Sequence, residues 1–334
     1  MPQAASQVAS QAASIDEPLR IGVSSCLLGQ EVRFDGQHKR SAFLTEELAP
    51  FVSFVPICPE VEVGMGIPRE PVRLVRGADA KPLMLATKTG ADWTARMNAL
   101  AARRADELAR EGLVGYVLKS KSPSCGMARV KLYDAPETTR APKPEGVGLF
   151  ARALMDRLPN LPVEEEGRLE DARLRENFVE RIFAYARVRR LFASRWTIGD
   201  VVAFHTAHKM QLLAHSTDGY RALGALVGGA KALPRAELRD RYEAAFMAVL
   251  AKLATPGRHA NVLTHMLGHL KRTPDDGDKR ELMTVVEDHR RGLVPLVVPV
   301  TLMRHHARRL SVAYLLDQTY LEPHPKELML RNHV

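Results

Sequence analysis

Val114-Gly-Tyr-Val-Leu-Lys-Ser-Lys-Ser-Pro-Ser-Cys125 is an apolar run of strand length that breaks into a hydroxyl-rich loop and ends on a cysteine. Two other segments follow the same plan, Ile21-Gly-Val-Ser-Ser-Cys26 and Phe51-Val-Ser-Phe-Val-Pro-Ile-Cys58, and these account for all three cysteines of the chain. Apolar runs of this kind, separated by helical patterns, read as neighbouring buried parallel strands. In an open α/β sheet, ligands bind in the crevice outside the carboxyl ends of the strands. The reading therefore brings three thiols to one crevice. Three thiolates there can hold a metal centre and leave one coordination position free, as a catalytic metal requires. Two plainer readings stand beside this one. Free cysteine is a common core residue, and zinc is an alternative metal, although the chain has none of the Cys-x-x-Cys pairs typical of structural zinc.

Around these runs the first half alternates between strand and helix signals. The loop Gly29–Arg40 carries the turn Phe34-Asp35-Gly36 and leads to a short helix over Ala42–Leu48. Val72–Val75 and Pro82–Ala86 predict two short strands, a hairpin, and Val130–Tyr133 adds another. Trp93, Met97, Leu100, Ala101 and Leu108 recur at helical spacing over Asp92–Glu111, with Gly112 as the stop. Ala135–Gly148, with three prolines and two glycines, reads as a long surface loop, and Leu149–Leu158 as a closing helix. The expected fold class is α/β, with a Rossmann-like, largely parallel sheet domain over residues 19–160. From Pro162 the pattern becomes helical. Glu164–Ala193, Val201–Ala214, Tyr220–Val227, Arg235–Ala254, His259–Leu270, Arg280–Gly292 and Arg304–Tyr314 predict an all-α domain over 161–334, punctuated by Gly228-Gly229 and Thr273-Pro-Asp-Asp-Gly277. Residues 1–18, rich in Ala, Ser and Gln, are expected to be a disordered tail.

With 46% hydrophobic and 26% charged residues, the chain of 334 has the composition of a soluble globular protein. Its longest apolar stretch, Leu293–Met303, carries two prolines and is too short for a bilayer span, so no membrane is expected. The first 19 residues hold no Lys or Arg and so lack signal-peptide or transit character. An odd cysteine count argues against a disulfide framework and for a reducing cytoplasm. The net charge is +9, with 21 Lys/Arg against 18 Asp/Glu in residues 1–160 and 27 against 21 in the remainder. That balance is compatible with a polyanionic partner such as RNA.

The segments Ser24-Ser-Cys-Leu-Leu-Gly29, Arg33-Phe-Asp-Gly36, Cys58-Pro-Glu-Val61, Thr89-Gly-Ala-Asp92 and Lys119-Ser-Lys-Ser-Pro-Ser-Cys-Gly126 together resemble the thiouracil desulfidase family over residues 19–158. The second half resembles the YbgA-like helical domain through Arg175-Glu-Asn-Phe178, Phe204-His-Thr-Ala-His-Lys209 with His215, Arg291-Gly-Leu-Val-Pro-Leu-Val-Val-Pro-Val300 and Pro323-His-Pro-Lys-Glu-Leu328. Chains with both domains resemble desulfidases that act on 4-thiouridine in tRNA. The resemblance implies a 4Fe-4S cluster held by Cys26, Cys58 and Cys125 through three irons, the fourth iron being open to a foreign sulfur. Zinc becomes the runner-up metal.

The implied reaction replaces C4=S by C4=O with water as co-substrate and no net electron transfer. Glu60 is the candidate that activates water, and Ser122 and Ser124 the candidates that donate to cluster sulfide or substrate. Ser24, Asp35 and Thr89 are expected at the substrate, the last two orienting the base edge. Lys119 and Lys121 are expected to hold phosphate or balance cluster charge. Plainer roles exist for each: a helix N-cap or salt bridge for Glu60, turn-shaping for Asp35 and the serines, solvated loop lysines. Eleven of the twelve histidines lie in the second half, where the pairs His205/His208 and His265/His269 can each share a helix face. Buried or phosphate-contacting histidines are the expected reading rather than a second metal site. Arg187, Arg189, Arg190 and Arg195 before Trp196, and Arg304-His305-His306 before Arg308-Arg309, are expected to grip tRNA. Two alternatives remain at this level: a desulfidase of free thiouracil or thio-nucleotides, and a non-enzymatic iron–sulfur RNA-binding sensor.

Overall fold

The computed structural model describes residues 18–79, 81–270 and 276–334. Apart from Pro18, the expected disordered tail lies outside the described residues, as does most of the Thr273–Gly277 signal. The chain forms two compact units that divide between Glu170 and Asp171.

The first unit contains strands β1 (Leu19–Ser24), β2 (Val52–Ile57), β3 (Val72–Arg76), β4 (Pro82–Ala86), β5 (Gly115–Leu118), β6 (Val130–Tyr133), β7 (Lys143–Gly146) and β8 (Val163–Glu165). The three cysteine-bearing runs are neighbours, as expected. One sheet has the order β2-β1-β5-β8 and every pairing in it is parallel. Ile21 and Val23 of β1 and all four residues of β5 are buried, which is why these strands read as apolar runs rather than alternations. Gly22 has a steric role: a Cβ there would stand 2.1 Å from the Tyr116 ring that crosses it from β5.

Helix α1 (Pro59–Glu62) follows β2, and α2 (Thr94–Arg110) buries Met97, Leu100, Ala101, Ala105 and Leu108 along one stripe. Gly112, at φ +70, ends α2 where a left-handed residue is needed. Helix α3 (Leu149–Arg157) is the expected closing helix, and the segment predicted near 42–48 is a π-wound turn over Phe43–Leu48.

Three expectations for this half need correction. The hairpin β3–β4 exists, but it belongs to a second, mixed sheet of order β4-β3-β6-β7 with its own small core of Leu74, Met84, Val130 and Leu132. The supposed loop Ala135–Gly148 contains β7, a polar edge strand whose Lys143, Pro144 and Glu145 are exposed and so gave no apolar alternation. Val163–Glu165, read as the start of a long helix, pairs with β5 as the edge of the parallel sheet.

The second unit is helical: α4 (Ala172–Ala193), α5 (Ile198–Ala207), α6 (Lys209–His215), α7 (Thr217–Gly228), α8 (Arg235–Leu250), α9 (Pro256–Leu267), α10 (Asp276–Arg290), α11 (Val297–Arg309) and α12 (Ala313–Leu316). Asp171 caps α4 by accepting from Arg173 N and Leu174 N, so the helix starts there rather than at Glu164. Its core gathers Met210, Leu263, Met266, Met303 and Tyr320. The single helix expected over Val201–Ala214 is broken at His208, whose Nδ1 lies 2.8 Å from Phe204 O and whose ring stacks on Phe204 at 3.9 Å. His205 lies 3.3 Å from the Tyr242 hydroxyl. These two histidines pack against aromatic neighbours, in keeping with the buried-histidine reading. No described helix is long and apolar enough to cross a membrane.

Candidate metal centre and active site

Each cysteine is placed by a different local device. Cys26 sits in the short 3₁₀ turn Ser25–Leu28 that continues β1, and Gly29 ends that turn at φ 92. Its carbonyl accepts from Lys39 N at 2.9 Å, drawing the Gly29–Arg40 loop back to the strand end. Cys58 directly follows β2 and occupies the N-cap of α1, with Pro59 at the first helical position. Its carbonyl accepts from Val61 N and Glu62 N, and its Sγ faces Val32 O at 3.7 Å.

Cys125 is seven residues beyond β5 and needs more support. Within the loop, Ser122 Oγ accepts from Cys125 N at 3.1 Å, and Gly126 N donates to Ser122 O at 2.8 Å. The carbonyls of Pro123 and Ser124 accept the first amides of α3, from Leu149, Phe150 and Ala151 at 3.0 to 3.1 Å. Glu165 Oε1, on β8, accepts from Met127 N at 2.8 Å. Gly148 makes the close approach possible: a Cβ there would lie 2.4 Å from Ser124 O.

The three cysteines line one cavity of about 310 Å³. It opens where the sheet order reverses direction between β1 and β5, the switch point at which such sheets bind ligands. Cys26 and Cys125 are buried and Cys58 half-buried. Burial pushes the Cys26 thiol up to about 11, the neighbouring Cys58 adding to the effect while Lys119 opposes it. Burial likewise raises Cys58 and Cys125. Such thiols ionise only when a thiophilic cation takes the proton's place, so loading the site releases protons. Among the described residues, no three His, Cys, Asp or Glu side chains converge closely enough to share a single metal ion. Three thiols on one cavity are the donor type of an iron–sulfur cluster, in which each thiolate binds a separate iron.

Glu60, the second residue of the helix that Cys58 caps, is central to the cavity's hydrogen bonding. Its Oε2 accepts from Arg69 Nε at 3.0 Å and Nη2 at 2.6 Å. Its Oε1 accepts from Ser124 Oγ at 2.7 Å and lies 3.3 Å from Ser122 Oγ. Ser124 Oγ is also 3.5 Å from Cys125 Sγ, so one hydroxyl bridges carboxylate and thiol. Arg69 is fully committed: its Nη1 donates to Val32 O and Gly66 O, both at 3.0 Å, and its backbone N donates to Phe34 O.

Of the residues expected at this site, Cys26, Cys58, Cys125, Glu60, Ser24, Ser122, Ser124, Lys119 and Lys121 line the cavity. Ser24 Oγ accepts from Lys119 N at 2.9 Å, tying β1 to the end of β5. Lys121 stands in a left-handed backbone conformation at φ 60 with its side chain exposed. Two expectations are not met. Asp35 is not in the cavity wall, because its carboxylate accepts from Arg33 and from Gln37 N and shapes the turn. Thr89 is held by Glu70, to which its Oγ1 donates at 2.9 Å, and also lies outside the wall. Lys119 lines the cavity with its Nζ ion-paired to Glu166, and its charge acts on the Cys26 thiol, as the charge-balancing alternative for this residue expects.

Arg69, Glu166 and Phe34 were not assigned roles from the sequence. Arg69 had a legible signal, being the one basic residue of Cys58–Pro71, a loop that also carries Glu60, Glu62 and Glu70. Phe34 lines the cavity yet is 40% exposed, with Arg33 over its ring at 5.7 Å.

Two family models match different parts of the chain. The family model for 2-thiouracil desulfurase matches residues 21–166, and the model DUF1722, a protein family of unknown function, matches residues 209–325. The chain is 30% identical over 153 residues to the uncharacterized protein YbgA of Escherichia coli (strain K12), covering 46% of this chain and 90% of that protein. It is 33% identical over 108 residues to the uncharacterized protein YbbK of Bacillus subtilis (strain 168), covering 31% and 71% respectively. A solved structure of the 4Fe-4S-dependent thiouracil desulfidase TudS aligns with 48% of this chain and 99% of its own length, at 30% identity and a TM-score of 0.38.

Proposed function

This chain belongs to the 2-thiouracil desulfurase family, extended by a DUF1722 module, and from that premise we propose that it removes sulfur from 4-thiouridine in tRNA, giving uridine and hydrosulfide. The observation that carries this reading is the convergence of Cys26, Cys58 and Cys125 on one cavity beside the Glu60–Ser124 pair. In this reading Cys26, Cys58 and Cys125 would hold a 4Fe-4S cluster, which would supply a Lewis acid for the thiocarbonyl sulfur.

The chain's own residues then manage water and protons. Glu60 Oε1 accepts a proton from the attacking water as its oxygen bonds to C4. Arg69, held by two backbone carbonyls, keeps the carboxylate from rotating away. Ser124, whose hydroxyl donates to Glu60 Oε1, relays that proton to the departing sulfur as the C4–S bond breaks. One oxygen enters and one sulfur leaves as hydrosulfide with one of the two water protons, the other is released to solvent as the C4=O forms, and the carbon keeps its oxidation level. Phe34 at the cavity is suited to stack a base turned out of an RNA strand, and the basic second half supports a polyanionic substrate.

The test is anaerobic incubation of the iron- and sulfide-reconstituted protein with 4-thiouridine-containing tRNA, following loss of thiocarbonyl absorbance and release of sulfide. Replacing any one cysteine by Ala is expected to abolish the brown cluster absorbance and turnover together, and full turnover in such a variant refutes the site. Glu60→Ala is expected to keep the cluster and lose most turnover. A second reading, free thiouracil as main substrate, is favoured by a cavity of about 310 Å³, near the lower end of small-molecule sites. Faster turnover of the free base than of tRNA decides for it.

A further inference from the structure

Arg331 in the helical unit is only 6% exposed, and two of its guanidinium nitrogens are engaged. Nε donates to Glu176 Oε1 at 3.1 Å and Nη1 to Tyr320 O at 2.6 Å. Nη2 meets no acceptor among the described residues. A desolvated charged donor left without a partner is destabilising, and an anionic ligand would relieve that cost.

Arg331 is among the residues that line a cavity of about 420 Å³, within the range of small-molecule sites. Arg304, Arg308 and Lys326 also line it, and its one lining carboxylate, Glu322, is ion-paired with Arg304. Arg308 and Lys326 are solvent-exposed. His324, buried in the same wall, has its Nδ1 3.1 Å from Pro325 O and an Nε2 with no partner. With the proton on Nδ1, that Nε2 is an acceptor, complementary to the O–H of a monoprotonated phosphate.

We propose that this cavity is a phosphate-binding site, with the Arg331 guanidinium as its buried anchor and Arg308 and Lys326 as the neutralising charges. A phosphate group offers several charged acceptors to a forked donor and to two mobile cations, which fits this donor-rich wall. The site is separate from the cysteine cavity and does not depend on the desulfidase reading. It gives the helical unit a ligand chemistry of its own, whether the phosphate belongs to an RNA backbone or to a small phosphate ester.

The experiment uses the purified full-length chain, with ³¹P line broadening of inorganic phosphate and binding of an unthiolated tRNA transcript as readouts. Wild type is compared with Arg331→Met and with the double variant Arg308→Glu/Lys326→Glu, whose exposed positions leave the core intact if Arg331→Met fails to fold. Phosphate binding is expected to weaken at least about tenfold in the variants, the equivalent of one charge-assisted hydrogen bond. Parallel weakening of tRNA binding, with a shallower salt dependence, assigns the phosphate to RNA. Loss confined to inorganic phosphate assigns it to a small phosphate ester. Wild type and the double variant behaving alike toward both probes overturns the proposal. Sulfide release is not read, so failure of the desulfidase reading leaves this test standing.

Discussion

Replacing Arg69 by methionine isolates the ion pair that holds the proposed base. The Arg69 and Glu60 side chains are 5% and 12% exposed, and Oε2 takes two nitrogens of the guanidinium at 2.6 and 3.0 Å. For unit charges about 4 Å apart at an effective dielectric near 20, the attraction is about 4 kcal/mol. Removing one partner of such a buried pair typically costs about 3–5 kcal/mol, because the other charge is left uncompensated. In a unit of this size that corresponds to a fall in melting temperature of roughly 6–20 °C. The assay is thermal unfolding followed by Trp93 fluorescence in a Trp196→Phe background, since each unit contains one of the two tryptophans. Arg69→Met/Glu60→Gln, which removes both charges, is expected to recover most of the lost stability, although the Val32 and Gly66 carbonyls lose a donor in both variants. With Glu60 intact but unanchored, turnover is expected to fall about a hundredfold, at the lower end of what a general base contributes. A destabilisation below about 1 kcal/mol, together with undiminished turnover, would refute the view that Arg69 positions Glu60.

Three further outcomes can be checked. Gly148→Ala places a methyl 2.4 Å from Ser124 O and 2.9 Å from Cys125 N, so cluster absorbance after reconstitution is expected to drop sharply; Gly257→Ala, with open space around it, serves as the neutral control. Phe34→Ala is expected to raise KM for thiolated tRNA by about 5- to 150-fold with kcat little changed, and Phe34→Trp to restore it, matching the worth of one base–aromatic stack. The third concerns pH. His215 Nε2 lies 3.4 Å from Glu180 Oε1, with both side chains almost fully buried. Glu180 draws the His215 pKa up against the opposing effect of burial, and His215 draws the Glu180 pKa down in the same way. A raised histidine contributes stability that is fully present below its unfolded value of 6.5 and is lost as pH rises through the folded value. A depressed carboxylate contributes stability present above its unfolded value of 4.5 and lost as pH falls through the folded value. The stability difference between wild type and His215→Gln, followed by Trp196 in a Trp93→Phe background, is therefore expected to be largest between these limits and to shrink as pH rises through the folded histidine value. A flat profile that His215→Gln leaves unaltered would remove the pair from the account.

The parallel sheet was legible because β1 and β5 are almost wholly buried and so announce themselves as apolar runs, and the edge strand β2, though only partly buried, is apolar in sequence too. Their shared direction put Cys26, Cys58 and Cys125 in one crevice before any coordinates. What escaped was written in polar residues. The edge strand β8 carries Glu164 and Glu165, buried and hydrogen-bonded by partners remote from it on the sheet or later in the chain, and charged residues of that kind read as a helix start. β7, with its exposed lysine, proline and glutamate, has no alternation to detect. Asp35 and Thr89 lie in segments shared with the family, but spacing alone did not distinguish a residue that shapes a turn from one that faces the cavity. The link from Arg69 to Glu60 and Phe34 is tertiary, and only the charge contrast within one loop hinted at it.

The scaffolding of Cys125 has a bearing on how the protein is made. Its loop rests on amides at the start of the helix Leu149–Arg157 and on the Glu165 carboxylate, all of which leave the ribosome after it. A nascent chain thus exposes two seated sulfurs and a third with nowhere fixed to go until Glu165 has emerged. With the three cysteines as the proposed ligands, cofactor insertion is expected to follow the emergence of Glu165, and a chain cut short anywhere between Cys125 and Glu165 is expected to keep every cysteine yet lack these supports.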